Sequence, residues 1–350
     1  MSEKLDIKSL TLQELTEYFL SIGEKKFRAA QTYQWLHQKL VTDFDSCTNL
    51  SEGLRNKLKE QCELTALTPV RVQTSQIDGT QKYLFELADH NVIESVRMIY
   101  HHGDSVCISS QVGCKMGCRF CASTLDGCVR SLTPSEMLDQ IYRIQTISGN
   151  RVSNVVIMGS GEPMDNFDNV CKFLELISSE KGLNISARNI TVSTCGLVPK
   201  IRELADKKLQ INLAISLHAP NDEIRKSMMP IANTYSIEEI MDACRYYFDQ
   251  TGRRLTFEYS LVQGVNDSEE CAVQLSHLLK GMNALVNLIP VNPIKEREYR
   301  QSERSAIVAF KNKLEKYGIN VTIRREMGRD IDGACGQLRK SYIDSEEGRE

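Results

Sequence analysis

The chain has 350 residues, with 43 Lys and Arg against 46 Asp and Glu, and 41% of its residues are hydrophobic. This composition is typical of a globular protein and excludes a mainly disordered chain. The formal net charge of −3 excludes nucleic-acid binding through overall charge, but it does not exclude a local basic patch. No apolar run approaches the roughly 18 residues that a membrane helix needs. We therefore expect a soluble, cytoplasmic protein with no membrane partner.

Residues 1–68 predict a small helical accessory domain. Apolar residues recur at helical spacing at 10–20 and again at 27–36, and Ser51 is a typical N-cap for a third helix. The short basic cluster at 25–28 is either an ordinary solvated face or a contact for phosphate.

Residues 69–103 predict a β-hairpin linker. Apolar and polar residues alternate at 83–87 and again at 93–99, with a turn between these two stretches. A period of two is the pattern of strands with one buried face.

Residues 104–340 predict the catalytic domain. Six short apolar strands each precede a helical stretch, which indicates βα units with parallel strands. Six units are too few for a closed eight-stranded barrel, so the expected fold class is α/β, a partial (β/α)6 barrel with its chemistry at the carboxyl ends of the strands. The predicted strands lie at 106–109, 155–158, 190–193, 211–217, 255–261 and 284–289. Residues 341–350 are expected to be a flexible tail.

The chain contains twelve cysteines. In a reducing cytoplasm they should be packing residues, metal ligands or reactive thiols rather than structural disulfides. Seven of them stand alone, and we expect these to be small buried hydrophobic residues. They are Cys47, Cys62, Cys128, Cys171, Cys195, Cys244 and Cys271.

Three further cysteines, Cys114, Cys118 and Cys121, follow the first predicted strand at the spacing C-x3-C-x2-C, with glycines nearby. Three adjacent thiolates repel one another unless a metal neutralises them. Structural zinc needs a fourth ligand, for which Cys128 or a distant thiol is a candidate. Three ligands on a four-iron cluster leave one iron open for a substrate. The spacing favours the iron–sulfur cluster and leaves zinc as the alternative.

The cysteine spacing at the end of a first barrel strand resembles the radical S-adenosylmethionine (SAM) superfamily. Phe120, before the last cysteine, is aromatic as is usual there, and the glycine-rich 158–163 follows the second strand. This resemblance implies a partial barrel of the radical SAM type. It also implies one four-iron four-sulfur (4Fe-4S) cluster, bound by Cys114, Cys118 and Cys121, and SAM, of which two molecules are used per turnover.

Further segments resemble the RlmN/Cfr family of radical SAM RNA methyltransferases. These segments are 193–196, 216–221, 287–293 and 330–338. The RlmN branch methylates carbon 2 of adenosine 2503 in 23S rRNA and in some cases adenosine 37 of tRNA. The Cfr branch methylates carbon 8 of the same rRNA adenosine. Pro163 favours the RlmN branch, and carbon 8 stays the alternative.

The resemblance implies the contacts to SAM and the other partners. The matching SAM-site positions are Gly161, Glu162, Ser193, Ser216, Leu217, His218 and Asn292. An electron donor such as flavodoxin would supply the electron that cleaves SAM to a 5′-deoxyadenosyl radical. We expect a monomer. Basic residues around 324–340 are candidates for RNA phosphate contacts.

The resemblance also implies three catalytic residues. Cys335 would carry the methyl group, and Cys107 would release the RNA by forming a disulfide with Cys335. Glu94 would accept the proton from the RNA adduct. Without the resemblance, the two thiols indicate loop or strand packing and Glu94 indicates a solvated charge.

Two alternatives from other classes remain open on the sequence. One is a non-catalytic RNA-binding module stabilised by zinc. The other is a radical SAM enzyme that acts on a small molecule.

Overall fold

The computed structural model describes residues 4–294, 297–331 and 337–347, without the side chains of 344–347. Its first part is the predicted set of three helices. They are α1 (Leu12–Ser21), α2 (Lys26–His37) and α3 (Glu52–Gln61), with the short parallel strands β1 (Leu5–Asp6) and β2 (Cys62–Glu63) beside them. Thr11 starts α1 through a capping box with Glu14, and the Ser51 hydroxyl accepts the N–H of Leu54 at the start of α3.

A single sheet dominates the part of the chain that the structure describes. Its ten strands run in the order β14-β13-β12-β11-β10-β9-β6-β5-β4-β3. The antiparallel end consists of β3 (Thr68–Thr74), β4 (Gln81–Glu86) and β5 (Val92–Tyr100). The parallel part consists of β6 (Gly103–Ile108), β9 (Val152–Ile157), β10 (Ile190–Thr194), β11 (Asn212–Ser216), β12 (Leu255–Leu261), β13 (Ala284–Pro290) and β14 (Asn320–Ile323). A separate two-stranded ribbon pairs β7 (Gln111–Gly113) with β8 (Cys128–Ser131).

Helices cover the parallel strands. They are α4 (Pro134–Ser148), α5 (Phe167–Ser178), α6 (Val198–Asp206), α7 (Asp222–Met228), α8 (Ile237–Thr251), α9 (Glu269–Leu278) and α10 (Arg304–Lys316), followed by α11 (Gln337–Glu347). Thr133 forms a capping box with Glu136 at the start of α4, and this helix ends at Gly149 in the left-handed region. Each of the six predicted parallel strands overlaps an observed one, which confirms the α/β partial barrel, and β14 is a seventh parallel strand that the sequence did not predict.

Two boundaries differ from the sequence-based expectation. The β-hairpin linker is continuous with the main sheet, because β5 pairs antiparallel with β6 from Val96↔Cys107 to Tyr100↔Gly103. The predicted tail at 341–350 starts inside α11, which continues to Glu347.

The accessory helices and the catalytic domain share one hydrophobic core. The fully buried Lys8 forms an ion pair with Asp139 on α4 at 2.7 Å, and Asp139 also accepts the backbone N–H of Leu67. His37 on α2 lies 2.8 Å from the Tyr142 hydroxyl. Five of the seven isolated cysteines are buried, whereas Cys128 and Cys171 are only half-buried.

Over the described residues, none of the helices combines the length and the apolar character needed to cross a membrane.

Candidate active site

Two cavities meet at the carboxyl ends of the parallel strands. The first has a volume of about 240 Å³ and is lined by the three clustered cysteines, Glu162 and His218. The second has a volume of about 520 Å³ and is lined by Cys107. The residues common to both walls are Met158, Glu258, Ile289, Asn292 and Arg324. The two spaces are therefore neighbours with a shared boundary.

The loop after β7 brings the three clustered cysteines to the first cavity. Gly113 has φ +77, and a Cβ on it would lie 2.1 Å from the carbonyl oxygen of Gly127, so only glycine fits. Cys114 donates its backbone N–H to the same carbonyl at 2.7 Å. The Thr124 hydroxyl binds the carbonyls of Cys118 and Cys121. These hydrogen bonds to the backbone hold the loop in place, and its three cysteines form part of the cavity wall.

The thiols of this loop lie in a poorly solvated environment. Burial raises the pKa of Cys114 to about 12, and burial together with the neighbouring thiols raises the pKa of Cys118 strongly. Met228 and Met229 belong to the small apolar cluster that packs around Cys118. Buried thiols with raised pKa values lose their protons when a soft metal replaces them, so the three residues fit an iron–sulfur cluster.

Within the described ranges, no three Cys, His, Asp or Glu side chains surround one point as a single metal ion requires. A four-iron cluster binds each thiolate at a different iron and does not require that convergence.

The glycine-rich loop after β9 packs directly on the end of β6. A Cβ on Gly159 would lie 2.7 Å from the Ile108 carbonyl oxygen, and one on Gly161 would lie 2.7 Å from the Gln111 backbone nitrogen. The Ser160 carbonyl accepts the backbone N–H groups of Ser110 and Gln111. These glycines are therefore needed for close packing of two backbones, and Gly161 also lines the first cavity.

Glu162 lines the first cavity and links the loop after β9 to the loop after β10 through hydrogen bonds. Its Oε2 accepts the backbone N–H of Cys195 at 2.8 Å and its Oε1 that of Met164 at 3.0 Å. Burial raises the pKa of this carboxyl group, and the backbone hydrogen bonds partly oppose that rise. The carboxyl group keeps lone pairs that can bind a ligand in the cavity.

The remaining predicted SAM contacts divide into two groups. Ser193, Ser216, His218 and Asn292 line the first cavity, and the two serine hydroxyls lie 3.3 Å apart. Leu217 does not line it; its side chain is fully buried in the main core, so only its backbone could serve a ligand.

The imidazole ring of His218 is neutral and can donate a hydrogen bond from Nε2. Its Nδ1 accepts the backbone N–H of Ser260 at 2.9 Å, which places the ring proton on Nε2. Burial lowers its pKa to about 3. Phe120 packs edge-on against the ring, with centroids 4.6 Å apart.

Cys107 lies on β6 and lines the second cavity, not the first. Cys335, the predicted methyl carrier, lies outside the described residues. Ile331 and Gln337, the described residues nearest to it on either side, both line the second cavity. The described residues on both sides of the Cys335 segment therefore lie at the cavity that Cys107 lines.

Hydrogen bonds attach both sides of that segment to the β3–β5 region. On one side, Asp330 accepts from the Ser75 hydroxyl at 2.5 Å and from the Gln76 backbone N–H at 2.7 Å. On the other side, the Glu94 Oε1 accepts the backbone N–H of Arg339 at 2.6 Å.

Glu94 is buried rather than solvated, with 4% of its surface exposed. Its Oε2 lies 3.1 Å from the Lys82 Nζ. It does not line either cavity directly, and it contacts the first turn of the helix that follows Cys335.

The basic residues near Cys335 in the sequence include both exposed and buried side chains. Arg324, Arg325 and Arg329 are exposed and line the second cavity, as a phosphate contact requires. Arg339 is buried and donates to the Val92 carbonyl, so the expectation of a phosphate contact is wrong for this residue.

Two site residues escaped sequence analysis. Arg225 on α7 is fully buried and binds the carbonyls of Leu217 and Cys195 behind the first cavity. Glu258 on β12 lies in the wall that the two cavities share. A charged residue inside an apolar strand was the available signal for Glu258, whereas Arg225 lies in an ordinary charged helix with no signal.

Comparison with known proteins identifies this arrangement. A family model for the radical SAM superfamily matches residues 108–275, and one for the ribosomal RNA large subunit methyltransferase N-terminal domain matches residues 5–64. A radical SAM methyltransferase from Sphaerobacter thermophilus has a solved structure with TM-score 0.91 and 42% identity, over 95% of this chain and 98% of that one.

Curated relatives match almost the whole chain. A protein of Lachnospira eligens is 72% identical, over 97% of both chains. A protein of Lachnoclostridium phytofermentans is 63% identical, over 98% of this chain and 97% of its own. Both bear the name "Probable dual-specificity RNA methyltransferase RlmN".

The fold and the cysteine loop define a radical SAM methyltransferase, a class that uses a 4Fe-4S cluster and SAM. Within that class, this chain belongs to the RlmN family of radical SAM RNA methyltransferases. Membership of this family, rather than the geometry of the site, favours an iron–sulfur cluster over zinc as the metal group. It also favours RNA over a small molecule as the substrate.

Proposed function

We propose that the protein methylates carbon 2 of adenosine 2503 in 23S rRNA, with adenosine 37 of tRNA as a second substrate. The observation that carries this proposal is the identity of 63–72% to relatives named as dual-specificity RNA methyltransferases, over nearly the full chain. Both RNAs are cytoplasmic, so we place the reaction there.

The first cavity is the cofactor half of the proposed site. Cys114, Cys118 and Cys121 would hold the cluster, which supplies one-electron reductive cleavage of SAM when an electron donor such as flavodoxin reduces it. Gly161 and Glu162 would bind the amino group of SAM. The polar residues Ser193, Ser216, His218 and Asn292 would orient the rest of the molecule. The apolar cluster around Cys118 excludes water from this half.

The second cavity is the transfer half. The Cys335 thiolate would take a methyl group from a first SAM, and a second SAM would provide the oxidising step that joins this carbon to the adenine. The Cys107 thiolate would then attack the Cys335 sulfur, which forms a disulfide and breaks the bond between that sulfur and the transferred carbon. The released carbon would take up a proton to become the methyl group, and a thiol reductant would have to reduce the disulfide before the next turnover. The cavity that Cys107 shares with both flanks of the Cys335 segment supports this step.

Glu94 would take the proton that must leave the adenine carbon after the new bond forms. Both of its oxygens are engaged, by Lys82 and by the Arg339 backbone. One of these contacts must open, or a water must relay the proton, before the carboxylate accepts it. We further propose that the protein acts as a monomer.

The test is anaerobic incubation of the iron-loaded enzyme with SAM, a reductant and an RNA fragment containing the 23S target or the tRNA anticodon stem-loop. Mass spectrometry of the digested nucleosides should give 2-methyladenosine. A product methylated at carbon 8 would refute the carbon assignment. Cleavage of SAM without any RNA modification would refute the function and favour a small-molecule substrate.

A further inference from the structure

Glu258 occupies the boundary between the cofactor half and the transfer half. It lies in the middle of β12, paired with Ser216 on β11 and with Asn287 on β13. Its neighbour Ser216 lines only the first cavity and Asn287 lines only the second. Glu258 lines both, and its carboxyl group is the one acidic group among the five described residues that the two walls share.

A fixed hydrogen-bond network orients the Glu258 carboxyl group. The Asn287 Nδ2 donates to Glu258 Oε2 at 2.9 Å. The Thr322 hydroxyl donates to Asn287 Oδ1 at 3.0 Å, which fixes the orientation of the amide. Over the described residues, no group donates a hydrogen bond to Glu258 Oε1.

An acidic group in this position needs a partner. Only 4% of Glu258 is exposed, and this residue lines both cavities, so a ligand that displaces water from its carboxyl group must supply a hydrogen-bond donor in return. Burial raises its pKa, while Arg324 and Asn287 oppose that rise. The Asn287 donor and the positive charge of Arg324 both favour the ionised carboxylate, so Oε1 suits a ligand with an N–H donor and disfavours one with an acceptor there.

We propose that Glu258, oriented by Asn287, binds the exocyclic amino group of the target adenine and so selects adenine in the transfer half. This inference rests on the proposed function, because it takes an RNA adenine as the substrate. Guanine and uracil carry a carbonyl oxygen where adenine carries this donor, so a carboxyl acceptor rejects them. The exposed Arg324 and Arg325 on the same wall would hold the flanking phosphates.

The experiment compares two RNA fragments that differ in one group. One carries adenosine at the target position, and the other carries purine riboside, which lacks the amino group. For the unmodified protein, we expect methylation of the purine RNA to be about 10- to 100-fold slower, the effect of losing one hydrogen bond to a buried carboxyl group.

Two variants and a control assign this discrimination to the carboxyl group. Glu258→Leu should bring the adenosine-to-purine ratio to about 1. Glu258→Gln should lower the ratio as well, because the Asn287 Nδ2 binds the amide oxygen and leaves the amide NH2, a donor, at the position of Oε1. Thr256→Val changes the same strand and the same cavity wall without removing a carboxyl group, and it should preserve the ratio. If Glu258→Leu is too slow to assay, the dissociation constants of the two RNAs give the ratio without turnover.

The possible failures are distinguishable. Glu258→Leu protein that still prefers adenosine would overturn the inference. So would an unmodified protein that treats both RNAs alike, or a Glu258→Leu protein with normal iron content that no longer cleaves SAM in the absence of RNA, since that places the residue in the cofactor half. An unmodified protein that cleaves SAM and methylates neither RNA would instead refute the proposed function.

Discussion

The carboxylate of Glu94 on β5 accepts the backbone N–H of Arg339 on α11 at 2.6 Å, although the two residues are 245 positions apart. Arg339 lies in the first turn of the helix, where backbone N–H groups lack intrahelical partners and favour a negative charge. The proposed proton acceptor thus also fixes the start of the helix that follows Cys335, the proposed methyl carrier.

Replacement of Glu94 by Gln should separate these two roles. The amide oxygen can still accept the Arg339 N–H, with the amide NH2 then replacing the carboxylate oxygen beside Lys82, but the amide cannot take up a proton. We expect methylated RNA to form on the order of 100-fold more slowly, as is typical for loss of a general base, with the helix content unchanged. Nucleoside mass spectrometry gives the rate and circular dichroism gives the fold.

Glu86→Gln is a matched control for this variant, because Glu86 lies on the neighbouring strand and pairs with His90 at the surface. It should react like the unmodified protein. A Glu94→Gln protein that also reacts at the unmodified rate would exclude the residue as the proton acceptor.

Loss of the thiol of Cys107 should trap the reaction after the carbon–carbon bond forms. We expect Cys107→Ala to accumulate a covalent protein–RNA adduct that survives denaturing electrophoresis and to release almost no product. Cys244→Ala removes a buried thiol on α8 and should form no such adduct.

Loss of a cluster ligand should act earlier in the reaction. Cys118→Ala should lower the iron content and the visible absorbance of the reconstituted protein, and it should form neither adduct nor product. A colourless Cys118→Ala protein that still methylates RNA would contradict the assignment of the cysteine loop.

The two glycines Gly161 and Gly264 both have positive φ, but they differ in their surroundings. A Cβ on Gly161 would collide with the Gln111 backbone, whereas one on Gly264 would meet nothing within 4 Å. Alanine at either position carries the left-handed cost of roughly 1–2 kcal/mol. Gly161→Ala should lose about 1–3 kcal/mol more, because the backbone it meets must shift. Urea unfolding of both variants measures this difference, and equal losses would contradict the close packing.

His37 should make the folded state sensitive to acid. Burial, assisted by Lys8, lowers its pKa from 6.5 to about 3. Between these values the unfolded chain binds a proton that the folded chain does not. The contribution of the neutral His37 to the free energy of unfolding is therefore fully present above pH 6.5, and it decreases as the pH falls toward 3. The slope is at most about 1.4 kcal/mol per pH unit.

The corresponding measurement is urea unfolding of the unmodified protein and of His37→Gln between pH 5 and pH 7. The variant has no titrating group at this position, so its free energy of unfolding should decrease less steeply with falling pH. Parallel pH profiles for the two proteins would show that His37 does not titrate as its burial implies.

Local sequence signals predicted most of the helices and the parallel strands. Thr133 and Ser51 are caps because their hydroxyls satisfy backbone N–H groups within three residues, an interaction that the sequence displays directly. The cysteine spacing is equally local, since one loop carries all three thiols to the same cavity.

Contacts between distant residues were not predictable in the same way. Glu94 looks like a solvated hairpin charge until the fold brings Lys82 and Arg339 to it. Glu258 looks like an interruption of an apolar strand until Asn287 and the two cavities are in place. Leu217 belongs to a matching motif, yet its side chain packs into the core, because it follows Ser216, the last residue of β11, and faces the side opposite to that serine.

The hydrogen bonds at Asp330 and Arg339 hold both sides of the segment that contains Cys335, and they limit how far this proposed methyl carrier can move. Even a fully extended chain from Ile331 to Gln337 spans only about 20 Å, at roughly 3.4 Å per residue. A cysteine on a segment of this length, held at both ends, can move only locally and cannot swing between distant sites. Under the proposed function, the larger conformational change must therefore occur in the RNA, whose target base has to move to the cysteine.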